Sequence, residues 1–89
     1  MKVAFEDGFQ RKLLRLRRRN YFLYQKVRRA VKLFQVDQQY PALKLHKLKG
    51  NLDIYWSLSV EKNFRLVFYY ESKGAVFCDM GTHDEVYRK

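Results

Sequence analysis

Two stretches of strict alternation constrain this chain more than any other feature. From Asp53 to Val60, Ile54, Trp56, Leu58 and Val60 fall on one side, and Asp53, Tyr55, Ser57 and Ser59 on the other. From Phe64 to Glu71, Phe64, Leu66, Phe68 and Tyr70 alternate in the same way with Arg65, Val67, Tyr69 and Glu71. A period of two residues belongs to a β-strand with one face against a core. Glu61-Lys62-Asn63 between them reads as a hairpin turn, and Ala75 to Gly81 follows the turn Ser72-Lys73-Gly74 as a third strand. Three consecutive antiparallel strands are expected, in the register that brings every apolar set to the same side. That register places Val60 opposite Phe64 and Ser59 opposite Arg65. In the second hairpin it places Glu71 opposite Ala75, so that Val76, Cys78 and Met80 join the apolar face. Arg65 then falls opposite Gly81.

The first half of the chain has a different period. Met1 to Glu6 reads as a short strand ending at Asp7-Gly8, with Asp7 as the cap of the helix that follows. Phe9, Leu13 and Leu16 are spaced as a helical stripe with Leu14 beside them, which predicts a helix to Arg19. Asn20 is a capping residue before a second helix, Tyr21 to about Val36, striped by Leu23, Val27, Ala30, Val31 and Phe34. The two form an αα-hairpin whose exterior carries Arg11, Lys12, Arg15, Arg17, Arg18, Arg19, Lys26, Arg28, Arg29 and Lys32. Asp37 to Leu52 is a connector, broken by Pro41 and Gly50-Asn51 and in part extended. The expected architecture is α+β over residues 1–89 as one domain: an N-terminal strand, a two-helix hairpin, then three antiparallel strands forming a sheet packed on the helices.

Charge narrows the partners. With 19 Lys plus Arg against nine Asp plus Glu in 89 residues, the formal net charge is +10. Such an excess repels itself unless an anion lies nearby: nucleic acid, an acidic protein or a membrane face. No stretch approaches the ~20 apolar residues of a membrane span, and the first ten residues lack the apolar segment of a signal peptide. A cytoplasmic location is expected, without a membrane partner. The lone Cys78 excludes an intrachain disulfide and a multi-cysteine metal site, and its apolar surroundings predict a buried thiol. Two distant histidines do not make a zinc site, so no metal and no cofactor is expected.

The register gathers chemistry. Arg65 lies between Ser59 and Gly81, and the chain leaves Gly81 into Thr82-His83-Asp84-Glu85-Val86-Tyr87, so Arg65, His83 and Tyr87 share a neighbourhood. His46 and Lys47, just before the neighbouring strand, can approach the same face. Cleavage of RNA by its own 2′-hydroxyl needs a base, an acid for the departing 5′-oxygen, and a cation for the charge on the phosphorane. Histidine serves as either acid or base near neutrality. Arginine grips phosphate through two parallel hydrogen bonds. Lys44, Lys47 and Lys49 suit backbone phosphates, and Tyr87 can stack on a base or donate a hydrogen bond. Plainer roles fit the same residues. A histidine near a terminus or in a lysine-rich loop is often only solvated, an arginine on the polar side of a strand usually pairs with a carboxylate such as Asp79, and a helical arginine run is often a solvated face.

The stretch His46-Lys47-Leu48-Lys49-Gly50-Asn51-Leu52, then Tyr55-Trp56-Ser57 and Phe64-Arg65-Leu66-Val67-Phe68, is similar to the YoeB, YafQ and HigB branches of the RelE/ParE toxin superfamily. The ending Gly81 to Tyr87 resembles the close of RelE-type and YafQ-type toxins. This resemblance implies a toxin of a type II toxin-antitoxin system: an endoribonuclease that cuts messenger RNA in the ribosomal A site and is held silent by an acidic antitoxin. Carried over by position, Arg65 matches the arginine used on the scissile phosphate and His83 the C-terminal histidine that resembles a general acid. His46 matches a position where a general base is expected, Tyr87 the terminal aromatic, and Lys47 and Lys49 the basic loop that meets RNA. YafQ-like chains carry histidine where this chain has Ser59 and aspartate where it has Asn63, which leaves the base assignment open. Two other readings stand beside the nuclease: a ParE-like toxin that poisons DNA gyrase by binding, and a basic RNA-binding module without catalysis.

Overall fold

The computed structural model describes residues 1–87, with Asn51 described by its backbone only. In chain order the elements are β1 (Lys2–Phe5), α1 (Asp7–Arg19), α2 (Tyr21–Val36), β2 (His46–Lys47), β3 (Trp56–Glu61), β4 (Phe64–Glu71), β5 (Gly74–Gly81) and α3 (His83–Tyr87), with single 3₁₀ turns at Pro41–Leu43 and Gly50–Leu52. The strands form one sheet in the order β1-β5-β4-β3-β2. β1 runs parallel to β5, and the other neighbours are antiparallel. This is the expected α+β arrangement, with the extended part of the connector added as the edge strand β2.

The helices form where their stripes dictate. Asn20 separates them: its N–H donates to Leu16 O (2.8 Å), and its side-chain oxygen accepts from Leu23 N (3.1 Å). Arg17, Arg18 and Arg19 in the last turn of α1 suit the negative end of its dipole. At the other end the expected cap is displaced. Glu6 occupies the cap position without a side-chain cap bond, and Asp7 is the first helical residue, where its charge still favours the positive helix end. Leu14 is exposed, so the stripe of α1 is narrower than its leucines imply.

The core lies between the hairpin and one face of the sheet. Phe9, Val27, Ala30, Val31 and Phe34 meet Leu58, Leu66, Phe68, Phe77 and Met80. Phe77 is central: its ring lies 5.1 Å from Phe68 and 5.7 Å from both Phe9 and Phe34, centroid to centroid.

Register matches expectation at the site and departs from it at the turns. Ser59 pairs with Arg65 and Arg65 with Gly81, as read from the alternation. Between Ser59 and Glu61 a bulge intervenes, so Glu61 rather than Val60 faces Phe64. β3 begins at Trp56, and Ile54, expected on its apolar face, lies in the preceding turn and is exposed. In β5 Glu71 pairs with Gly74, not Ala75. Ala75 and Phe77 therefore face the helices, while Val76 and Cys78, expected there, face away. A second bulge then sets both Cys78 and Asp79 against Val67, which returns Met80 to the core. The cause lies in β1. Gly74 pairs with Lys2, and a Cβ at position 74 would collide with the Lys2 carbonyl, so the glycine enters the strand and the turn shrinks to Ser72-Lys73. Cys78 is only half-buried, with its thiol 3.5 Å from the Val67 carbonyl, rather than the buried thiol expected.

Candidate active site

The sheet face away from the hairpin holds the candidate site residues. α3 lies across it, fastened by Val86 packed on Val67 and Leu48. A reciprocal cap starts this short helix. Thr82 N donates to Glu85 Oε1 (2.7 Å) and Glu85 N donates to Thr82 Oγ1 (3.3 Å). Gly81 makes the fold-back possible, because a Cβ there would stand 2.8 Å from Glu85 Oε1.

α3 aligns His83 and Tyr87 one turn apart, which brings their rings to 4.2 Å in an edge-on contact. The His83 side chain remains 58 % exposed, open to a ligand, with only a loose 3.9 Å approach of its Nδ1 to Asp84. Tyr87 reaches over the sheet, its hydroxyl 2.8 Å from Ser57 Oγ and 3.2 Å from His46 Nε2. His46 arrives from β2, where it pairs with Ser57. The other ring nitrogen of His46, Nδ1, lies 3.1 Å from the Lys44 carbonyl. That carbonyl is turned inward because Lys44, which ends the Pro41–Leu43 turn, adopts a left-handed conformation (φ 47°) that non-glycine residues seldom take.

Arg65 stands on the same face by strand alternation, one residue before the core side chain of Leu66. Its Nε and Nη1 are buried and have no hydrogen-bond partner among the described residues. Ser59 gives its hydroxyl to the Glu61 carbonyl of its own bulge (3.0 Å), and Gly81 has no side chain. Asp79, the carboxylate expected for a strand arginine, is engaged by Lys12 from α1 and by the Met80 N–H. A buried guanidinium nitrogen without an acceptor is costly and uncommon, and an anionic ligand relieves it.

The structure thus brings together His46, His83 and Tyr87 in contact, with Arg65 on the same face. The lysines are more dispersed. Lys44 and Lys49 are exposed in the segments flanking β2. Lys47 pairs with Trp56, whose ring belongs to the core, so it leaves the sheet edge on the side opposite His46. Sequence reasoning missed Ser57, which is fully buried and in contact with Tyr87. It also missed α3, although Thr82-His83-Asp84-Glu85 carries the capping-box spacing. Beyond Val67 the same face continues into a cavity of about 260 Å³ lined by Glu6, Leu48, Leu52, Tyr55, Val67, Cys78 and Val86. Nearby, Tyr69 donates to Glu6 Oε2 (3.0 Å). That bond holds the Tyr69 phenol above its ordinary pKa, helped by desolvation and by the Glu6 charge. Among the described residues no cluster of His, Cys, Asp or Glu could hold a metal ion, and no helix is long and apolar enough to cross a membrane.

A five-stranded sheet covered on one side by a helical hairpin is a fold shared with solved bacterial toxins. The YoeB/ParE toxin from Agrobacterium tumefaciens has the same fold at 18 % identity, with a TM-score of 0.78, covering 93 % of this chain and 99 % of that one. YafQ from E. coli strain BL21(DE3) matches at 18 % identity and a TM-score of 0.74 over 97 % of both chains. The YoeB-YefM complex from Staphylococcus aureus matches at 19 % identity and a TM-score of 0.77, over 93 % of this chain and 97 % of that one. No curated protein sequence matches. The family model described as the RelE-like toxin of the type II toxin-antitoxin system HigB matches residues 6–83, and this chain belongs to that family.

Proposed function

We propose that this toxin is a metal-independent endoribonuclease that cuts messenger RNA in the ribosomal A site and so halts translation. The observation that carries the reading is the guanidinium of Arg65, buried on two nitrogens without an acceptor, on the face where His46, Tyr87 and His83 meet. A bridging phosphate supplies the missing acceptors. His46 accepts the 2′ proton as the 2′-oxygen attacks phosphorus. The bond to the 5′-oxygen breaks, and His83 gives that oxygen its proton, leaving a 2′,3′-cyclic phosphate. Arg65 holds the charge that grows on the phosphorane. Lys44 and Lys49 meet flanking phosphates, and the ribosome supplies the orientation that a small open site cannot. An acidic antitoxin would cover the basic face; the relatives seen as YoeB-YefM and DinJ-YafQ complexes support a partner of this kind.

The test is toxicity with transcript mapping. Induction of the wild-type chain is expected to arrest growth and to produce new 5′ ends at positions set by codons. His83→Ala, folded normally, is expected to abolish both. Retained toxicity in His83→Ala removes that residue from the mechanism. Intact transcripts with DNA-damage signalling would point instead to a gyrase poison.

A further inference from the structure

We infer that Ser57 is a positioning residue for His46, acting through the Tyr87 hydroxyl, an inference that rests on the ribonuclease reading above. The argument begins at the other end of the imidazole. A carbonyl oxygen only accepts, so the 3.1 Å contact of Lys44 O with His46 Nδ1 requires the proton to sit on Nδ1. In the neutral ring Nε2 is then a bare lone pair, and the group facing it at 3.2 Å is the Tyr87 hydroxyl. Tyrosine has one hydroxyl proton. If Tyr87 donates it to Nε2, the Tyr87 oxygen needs a donor of its own, and Ser57 Oγ stands 2.8 Å away.

A second arrangement uses the same atoms. Once His46 has gained a proton by relay, Tyr87 passing its own proton to Nε2 and taking the 2′ proton in its place, Nε2–H donates to the Tyr87 oxygen, and Tyr87 turns its new proton to Ser57. Ser57 donates in the first state and accepts in the second. A hydroxyl can do both; alanine can do neither. Because Ser57 is fully buried, water is poorly placed to substitute. The Tyr87 oxygen is therefore held in one place before and after proton transfer, and the imidazole keeps its orientation in both states. Ser59, two residues along the same strand face, bonds instead to the Glu61 carbonyl.

The experiment combines ¹⁵N spectra of the imidazoles with single-turnover cleavage on programmed ribosomes, using Ser57→Ala, Ser57→Thr, Tyr87→Phe and the Ser57→Ala/Tyr87→Phe double variant. In the wild type, His46 is expected to show a protonated Nδ1 and an unprotonated Nε2. Ser57→Ala is expected to shift the His46 Nε2 resonance and slow cleavage about tenfold, roughly the worth of one buried hydrogen bond. The double variant is expected to be no slower than Tyr87→Phe alone, because both changes break one chain. Ser57→Thr, which keeps the hydroxyl, is expected to recover most of the rate. Unchanged His46 signals and rate in Ser57→Ala, or losses that multiply in the double variant, overturn the inference. Should Ser57→Ala not fold, Tyr87→Phe decides: an unmoved His46 Nε2 resonance overturns it. A wild-type chain that cuts no messenger overturns the ribonuclease reading and with it the catalytic use of the chain. Cutting with unaltered imidazole spectra overturns the role of Ser57 alone.

Discussion

The two faces of the sheet are built on opposite terms. Toward the helices, Leu58, Leu66, Phe68 and Phe77 are fully buried in one apolar cluster. Away from the helices the same strands present Ser57, Ser59 and Arg65, half-buried or buried, under a single five-residue helix. The first face is filled chiefly by apolar side chains of the two helices. The second holds hydrogen-bonding capacity that the chain itself does not fill, concentrated on Arg65. Stability is therefore expected to reside on one side of a layer one strand thick, and chemistry on the other.

The strongest way to break this contrast is to cut into each face in turn. Phe77→Ala removes the ring at the centre of the aromatic cluster, and a buried phenylalanine of this kind is worth about 3–5 kcal/mol. Since a small domain holds only about 5–15 kcal/mol in all, denaturant titration should show a large fraction of the stability gone. A loss under about 1 kcal/mol would mean that the helix-side core does not hold the fold. Arg65→Met is expected to act the other way round. Methionine fills similar space and removes two buried donors without partners, so stability should be unchanged or rise by about 1 kcal/mol. Cleavage should fall about a hundredfold or more, as expected for loss of charge stabilisation in a transition state. A destabilised Arg65→Met that still cuts would place Arg65 among the structural residues and erase the contrast.

How much of this was legible depended on how one-sided each segment is. β3 and β4 were readable because one face is apolar and the other polar, which pins the register, and Ser59–Arg65–Gly81 followed from it. β5 was not. Ala75, Val76, Phe77 and Cys78 are apolar in succession, so no alternation marks which two face the helices. The bulge at Cys78–Asp79 leaves no trace in such a run, and the place of Gly74 depends on β1, far away in sequence. The candidate site was legible where residue type carries the chemistry, at His46, Arg65 and His83. It was not legible at Ser57. A serine on the polar side of a strand reads as solvent-facing, and its burial is imposed by β2 and α3, which pack there only in the folded chain. Lys47 shows the converse: its neighbour His46 turns to the site while pairing with Trp56 sends Lys47 the other way, as alternation within a strand demands.

The smallest effect sharpens the contrast most, because it separates the two faces without touching either core or charge. α3 is too short to persist by propensity, so it depends on Val86 and on its cap. Thr82→Ala removes the acceptor for Glu85 N and should cost about 1 kcal/mol of local stability. Were α3 part of the same cooperative unit as the helix-side core, that loss would appear in full in global unfolding. If it opens independently, the loss appears only locally. The second outcome is expected. Amide exchange at Val86, whose N–H donates to Thr82 O (3.0 Å), should quicken about fivefold while denaturant midpoints barely move. Glu85→Gln serves as the control, since glutamine retains an oxygen for Thr82 N and the box tolerates either residue. Its Val86 exchange should stay near wild type. Equal quickening in both variants would show that the charge of Glu85, rather than the reciprocal cap, holds His83 and Tyr87 over the sheet.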